Sequence, residues 1–162
     1  MSRRRFARLA LLLAAGPTPL AAQGRGPVII EWGFHGTATV GDSLRLGAIA
    51  GPRLALRTVG GTRGAVSFGA GLQGDSATAR AEGAVEYQLS PRRAGRVGVY
   101  FGGGLAGVVG AGRGGYLLLY VGLERSPGLP SGWAVEAGIG GGFRVRAAYH
   151  WRHFPKGWRP QR

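Results

Sequence analysis

The sequence predicts an all-β protein whose strands run up and down around a closed barrel. Three observations support this fold class: apolar side chains alternate with small or polar ones along most of the chain, turn signals recur at short intervals, and 33 of the 162 residues are glycine. Frequent glycine weakens helices, and no helical period fits the alternating segments. The length suits one domain.

The first 22 residues have the layout of a secretory signal peptide. Four arginines precede a short apolar run at 9–15, and a segment with two prolines then ends in small residues. The apolar run is too short to span a bilayer. We expect cleavage after Ala22, with Gly24 as the alternative, and then a short lead at 23–27. Removing residues 1–22 lowers the formal charge from +14 to +10, because it takes away four basic residues and no acidic one.

A second export route stays open. The segment Ser2-Arg3-Arg4-Arg5-Phe6 resembles a twin-arginine signal, which exports folded proteins. Adjacent arginines also occur in ordinary leader segments, and no cofactor motif follows. A barrel bound for a membrane must cross in unfolded form, so general secretion agrees better with the predicted fold.

Eight strand-like segments follow, each delimited by glycine, proline or polar turn residues. In the last of them Phe143, Val145 and Tyr149 share one face of an extended chain, while Arg144 and Arg146 share the other. The predicted strands are 28–40, 44–58, 65–72, 77–89, 96–108, 115–125, 132–140 and 143–154. Short connections make successive strands antiparallel, and an even number of strands closes into an up-and-down barrel.

Particular glycine and proline positions carry their own expectations. Pro52 has no backbone N–H and should introduce a bulge or bend into the second strand. The glycine-rich segment 59–64 should form the turn that follows this strand. The glycine runs 102–104 and 140–142 open no helix, so they indicate strand kinks and not phosphate-binding loops.

The two faces of the strands differ in composition, and the difference favours a transmembrane barrel. One face carries Val, Leu, Ile and Phe, with Trp and Tyr often near strand ends. The other is mainly Gly and Ala with isolated Arg and Glu, which is sparse for a water-facing surface and suits the narrow interior of an eight-stranded barrel. We therefore expect the apolar face to meet lipid. Barrel closure leaves no unpaired strand edge there.

With these features the chain resembles the small eight-stranded outer-membrane barrels of Gram-negative bacteria. The resemblance covers the signal, the alternation through 28–154, and the closing strand with Tyr149, Trp151 and Phe154. It implies an integral outer-membrane protein, surrounded by lipid and inserted by barrel-assembly machinery after export through the periplasm. In that family an aromatic residue normally ends the chain, whereas here a tail at 155–162 follows Phe154. Long outer loops are also missing.

The face opposite the apolar one supplies a predicted charge network in the barrel interior, which Glu31 also faces. The members of this predicted network are Arg45, Arg53, Arg57, Arg80, Glu82, Glu86, Glu136, Arg144, Arg146 and Arg152. An excess of arginine would make the interior attractive to anions. In so narrow a barrel, ion pairs would instead plug the interior and fix the strand register, and this is the preferred interpretation.

No motif points to catalysis, a cofactor or a metal. His35, His150 and His153 lack both the serine spacing of lipid-deacylating barrels and a convincing carboxylate spacing for a metal, so we expect structural or interfacial roles for them. The absence of cysteine excludes disulfides and thiolate metal sites. The arginines are spread singly along the strands, which argues against nucleic-acid binding.

The leading functional expectation is a non-catalytic outer-membrane barrel with a structural or interaction role. Its interior is either plugged or a narrow, anion-favouring path. Two alternatives belong to other classes: a secreted soluble barrel that binds an apolar ligand, and a barrel-embedded lipid hydrolase. The sequence identifies no protein partner.

Overall fold

The structure is a computed structural model that describes residues 27–41, 46–92 and 94–160. The predicted signal peptide at 1–22 lies outside these residues. Within them, no helix is long and apolar enough to cross a membrane. The strands are β1 Val28–Val40, β2 Leu46–Thr58, β3 Thr62–Gln73, β4 Ser76–Gln88, β5 Val97–Gly110, β6 Gly114–Arg125, β7 Ser131–Ile139 and β8 Phe143–His153.

The eight strands form one closed barrel. Each strand pairs in antiparallel fashion with its neighbour in the chain, and β8 pairs back onto β1, where Trp32 lies opposite Trp151. This confirms the predicted all-β, eight-stranded, up-and-down barrel. Because the barrel is closed, both edge strands of the sheet are hydrogen-bonded.

The pairing register fixes the tilt of the strands. A circuit of paired residues runs from Ile30 through Leu56, Gly64, Val85, Gly103, Leu119, Ile139 and Phe143 to Val40. It therefore returns to β1 ten residues further along, from Ile30 to Val40. A shear of this size tilts the strands by roughly 40° from the barrel axis. Inward side chains of neighbouring strands are consequently staggered in height and interleave across the interior.

The bulge expected at Pro52 is absent. Pro52 pairs with Phe34 of β1 in an unbroken register. On the other side of β2, Ala50 pairs with Ala70 and Arg53 with Ser67, so pairing with β3 continues in phase past the proline. The proline removes one backbone donor without inserting a residue. Arg53 therefore stays on the inward face.

The glycine-rich turn after β2 is shorter than predicted. It occupies 59–61 and contains Gly61, whose φ of 97° is in the left-handed region that glycine adopts without a Cβ penalty. β3 begins at Thr62 instead of beyond residue 64. Arg63 consequently belongs to a strand, and its side chain points inward with 1% exposure.

The barrel has two ends, which we call proximal and distal. The proximal end carries both chain termini of the barrel and the turns 59–61, 89–96 and 126–130. The distal end carries the connections β1–β2, β3–β4, β5–β6 and β7–β8, of which 74–75, 111–113 and 140–142 are described. All the distal connections are short, as the sequence predicts.

Side chains alternate strictly between the two faces of the wall. Along β8 every second residue from Arg144 to Arg152 is buried, while Phe143, Val145, Tyr149 and the others between them are exposed. The same alternation places large apolar side chains on the outside of all eight strands. The barrel is therefore apolar outside and charged inside.

Two tyrosine–glycine pairs on β5 and β6 show how the interior is packed. Tyr100 lies opposite Gly122, and Gly102 lies opposite Tyr120. A Cβ built on Gly122 would lie 2.3 Å from the Tyr100 ring, and one built on Gly102 would lie 2.7 Å from the Tyr120 ring. Each ring thus occupies the volume left by the glycine across the strand pair, which carries its hydroxyl towards the middle of the barrel.

We expect Gly122→Val to destabilise the barrel by about 1–3 kcal/mol, because the new side chain overlaps the Tyr100 ring. The matched control is Gly83→Ala, since Gly83 is exposed and a Cβ there meets no atom within 4 Å. Urea unfolding in detergent micelles, followed by tryptophan fluorescence, measures both changes. Equal stabilities for the two variants would show that the ring does not fill the Gly122 site.

Candidate functional site in the barrel interior

Charged side chains fill the barrel interior. Seven arginines and five glutamates point inward, and each is at most 8% exposed. They are Arg53, Arg57, Arg63, Arg80, Arg144, Arg146, Arg152, Glu31, Glu82, Glu86, Glu124 and Glu136. Shared partners join all twelve into one connected set of ion pairs, which we call the interior network.

Arg63 is the hub of the proximal part of the interior network. Its Nη1 atom lies 3.0 Å from a carboxylate oxygen of Glu31 and 3.0 Å from one of Glu124. Its Nε atom donates a hydrogen bond to Glu86. The guanidinium also lies over the Tyr100 ring, 4.8 Å from the ring centroid. One arginine therefore compensates three buried carboxylates that come from three different strands.

The middle of the interior network joins the tyrosines to the ion pairs. Arg53 donates hydrogen bonds to Glu86 and, over 3.0 Å, to Glu136. The Tyr120 hydroxyl donates to Glu86 over 2.6 Å, and the Tyr100 hydroxyl donates to Glu136 over 3.0 Å. These two carboxylates each accept bonds from both a guanidinium and a phenol, so direct side-chain contacts satisfy them.

Glu82 is the anchor of the distal part. Its carboxylate is 2.6 Å from Arg80 Nε and 3.0 Å from Arg144 Nη1, and it also accepts a bond from Arg146. The Ser67 hydroxyl lies 3.2 Å from the same carboxylate. One carboxylate thus contacts three guanidinium groups, whereas at Arg63 one guanidinium contacts three carboxylates.

The turn at 126–130 closes the proximal end of the interior. Arg57 donates to the carbonyl oxygen of Pro127 over 2.7 Å, and Arg152 donates to that of Leu129 over 2.9 Å. The backbone N–H of Arg152 bonds to the Pro130 carbonyl oxygen over 2.7 Å. Hydrogen bonds from arginines of the interior network therefore hold this turn over the proximal mouth of the barrel.

Burial determines what these ion pairs contribute. A buried pair gains little net stability over well-packed apolar residues, because both charges lose their hydration, whereas removing one partner strands the other and costs about 3–5 kcal/mol. Each carboxylate of the interior network faces at least two guanidinium groups. We therefore expect the network to favour this set of strand neighbours over a slipped register.

The structure brings together nine of the ten residues in the predicted charge network. Each of the nine takes part in at least one ion pair of the interior network. The tenth, Arg45, lies outside the described residues. Glu31, also expected to face inward, contacts Arg57 and Arg63.

Arg63 and Glu124 are members of the interior network that sequence reasoning misses. The glycines around Arg63 predict a turn at 59–64, but Arg63 occupies the second position of β3. Glu124 lies inside a predicted strand and on the same face as Tyr120 and Gly122, so the alternation of the sequence could have identified it as inward-facing. Continuing that phase one step further places Glu124 on the inward face.

The histidines take different positions in the wall. His35 and His150 are buried in the interior, at 4% and 2% exposure, whereas His153 is exposed at the proximal end of β8. Both ring nitrogens of His35 and the Nε2 atom of His150 have no hydrogen-bond partner among the described residues. Those residues also contain no group of three or more histidines and acids arranged to hold a metal ion.

A small cavity lies at the distal mouth. Its volume is about 30 Å³, and its lining includes Thr39, Gln73, Thr78, Arg80 and Tyr116. Space of this size suits one or two water molecules. Arg80 is held beneath it by a 2.9 Å bond to the Gly140 carbonyl oxygen.

Comparison of the chain with protein-family models, with curated proteins and with solved structures finds no match.

Proposed function

We propose that the chain is an integral barrel of the bacterial outer membrane with a structural or interaction role and without catalysis. One observation carries the proposal: the outward face of all eight strands is apolar, while every charged side chain of the strands except Arg125, at the end of β6, points inward. A barrel in water would need the reverse arrangement. On this proposal outer-membrane lipid surrounds the wall, and barrel-assembly machinery inserts it.

The positions of the exposed charges support a membrane-spanning band. Among the described residues, every exposed charged side chain lies in a turn, at the last residue of a strand, or in the tail. They are Asp75, Arg92, Arg96, Arg113, Arg125, Lys156 and Arg159. Between the two ends, an outward charge would have to enter hydrocarbon, which costs about 2–4 kcal/mol at the midplane for Arg or Lys.

Outward tryptophan and tyrosine side chains gather in one band near the proximal end. Trp32 stacks on Trp151 with ring centroids 4.5 Å apart, and Tyr149 meets Trp151 edge-on at 5.0 Å. Tyr87 contacts Phe101 across β4 and β5 at 5.6 Å. Amphipathic rings at a single height are typical of the interface between hydrocarbon and headgroups. The band therefore supports one membrane boundary at this level.

The packing of the interior favours a structural role for the ion pairs over a conducting path. Ion pairs cross its whole width, and the 126–130 turn is bonded over the proximal mouth. We expect the wild-type barrel to be silent in planar bilayers. A steady anion conductance that disappears when Arg144 and Arg146 are both replaced by alanine would establish the narrow anion path instead.

The same interior gives little support to a soluble barrel that carries an apolar ligand. Such a ligand needs a largely apolar cavity. Here the central cross-section is occupied by guanidinium, carboxylate and phenol groups in direct contact. An apolar molecule would have to displace several ion pairs to enter.

Catalysis receives no support from the interior groups. The five inward glutamates are all engaged by arginines, and Ser67 bonds to Glu82 instead of a histidine. A hydrolase needs a nucleophile held by a base with access to substrate. We expect the acyl chains of labelled phospholipid and lipopolysaccharide to remain attached during incubation with the protein. Their release would refute the non-catalytic proposal.

Alkaline carbonate extraction tests the membrane proposal in cells. We expect the protein to remain in the membrane pellet and, when not boiled, to migrate differently from boiled protein in detergent gels. Release into the carbonate supernatant, as for a soluble barrel, would refute the proposal. A known soluble periplasmic protein in the same extract serves as the control.

A further inference from the structure

The proximal end carries a group of exposed basic side chains, which we call the basic collar. It consists of Arg92, Arg96, Arg125, Lys156 and Arg159. None of these five forms an ion pair with an acid of the described residues. The described part of the distal end, in contrast, exposes one basic side chain, Arg113, together with the acidic Asp75.

No acidic side chain of the described residues is positioned to neutralise the basic collar. The sequence has seven acidic residues. Five are the buried glutamates of the interior network, and Asp75 lies in a distal turn. The seventh, Asp42, stands between β1 and β2 in the sequence, outside the described residues. Among the described residues, the proximal outer surface therefore exposes basic side chains and no acidic one.

The described part of the tail is fixed against the barrel, so Lys156 and Arg159 belong to the collar. Trp158 donates from its indole N–H to the Gly128 carbonyl oxygen over 3.1 Å and stacks on Phe154 with centroids 4.6 Å apart. The Arg92 guanidinium lies 5.6 Å from the Trp158 ring centroid. The tail and the 89–96 turn therefore present their charges on one surface.

We propose that the basic collar binds the phosphate groups of anionic phospholipids in the leaflet at the proximal end. The inference rests on the proposed membrane insertion. The collar adjoins the outward aromatic band that includes Trp32, Tyr149 and Trp151, so it stands at the height where headgroup phosphates lie. Basic side chains at a membrane surface are attracted to anionic lipid, and this attraction is screened by salt.

The continuity of the collar with an apolar wall favours lipid over a free anion. A headgroup bound there keeps its acyl chains against outward side chains such as Leu89, Val97 and Leu123, which are all exposed. A soluble phosphate gains only the electrostatic part of this contact. Phospholipid is therefore the occupant that uses both the charge and the apolar surface.

Quenching of tryptophan fluorescence by brominated lipids tests the proposal. The chain has four tryptophans, Trp32, Trp133, Trp151 and Trp158, and all of them lie at the proximal end, so they report on that leaflet alone. The full-length mature chain is reconstituted into phosphatidylcholine vesicles that contain brominated phosphatidylglycerol or, in parallel, brominated phosphatidylcholine. We expect phosphatidylglycerol to associate about fivefold more strongly at low salt, the effect of roughly one engaged basic side chain.

Collar variants and a distal control make the test specific. In the combined variant Arg96→Gln, Arg125→Gln, Lys156→Gln and Arg159→Gln, we expect the preference to fall to near onefold, as it should for wild type in high salt. Arg113→Gln at the distal end should keep the wild-type preference. Unboiled gel mobility shows that each variant is folded.

The outcomes separate this inference from the proposed function. Equal quenching of wild type by the two brominated lipids would overturn lipid binding by the collar while leaving membrane insertion intact. Lipid binding by the collar is also overturned if the collar variant keeps the preference or if Arg113→Gln abolishes it. Absence of quenching by either lipid would refute insertion itself, and the collar inference with it.

Discussion

Replacing Arg63 by methionine is expected to destabilise the barrel by about 3–5 kcal/mol, because three carboxylates then remain buried without their shared cation. Arg63 is 1% exposed and contacts Glu31, Glu86 and Glu124. Methionine fills a similar volume, so the loss comes from charge and not from a cavity. Unfolding by guanidinium chloride in detergent micelles, followed by tryptophan fluorescence, measures the change in the free energy of unfolding.

Two controls assign this loss to the ion pairs that Arg63 makes with the three carboxylates. Arg113→Met, at an exposed position in a distal turn, should change stability by no more than about 0.5 kcal/mol. Adding Glu124→Gln to Arg63→Met should recover part of the loss, since it removes a buried charge that has lost one of its guanidinium partners. Strictly additive losses in the double variant would contradict the ion-pair account.

Leu119→Arg is expected to destabilise the membrane-inserted barrel by about 2–4 kcal/mol, because the new charge points into hydrocarbon near the middle of the band. Leu119 is 51% exposed and occupies the middle of β6. The same substitution on a water-facing wall would be nearly neutral. Reversible urea unfolding from phospholipid vesicles measures the effect.

The position of the arginine along the barrel provides the control. Leu46 is 70% exposed and begins β2 at the distal end. Leu46→Arg should cost at most about 1 kcal/mol, since the penalty falls towards the interface. Equal effects at the two positions would contradict a hydrocarbon band around the barrel.

The sequence predicts the strands well because period-two alternation is a local signal. In β8 the phase from Phe143 to Trp151 is sufficient to assign each side chain to a face, and the structure has the same phase. Errors occur where a local signal competes with long-range pairing. Glycines around Arg63 indicate a turn, and Pro52 indicates a bulge, but pairing with the neighbouring strands keeps both segments in register.

Partners within the interior could not be predicted from the sequence. Alternation assigns Arg53 to the inward face, but it does not reveal that Glu136, 83 residues away, lies opposite it. That contact depends on the shear of the barrel, which shifts the inward side chains of each strand in height relative to the next. Shear follows from all eight registers together, so no single segment contains it.

The most direct test of the inside-out arrangement is the accessibility of nitroxide labels on β6 in phospholipid vesicles. The chain has no cysteine, so single labels can be placed through Leu117→Cys, Leu119→Cys and Val121→Cys, with Arg113→Cys as a water-exposed reference. We expect the three strand labels to be accessible to oxygen and shielded from a water-soluble nickel complex, most strongly at Leu119. Access of the nickel complex to Leu119 equal to its access to Arg113 would mean that water, and not lipid, covers the apolar wall.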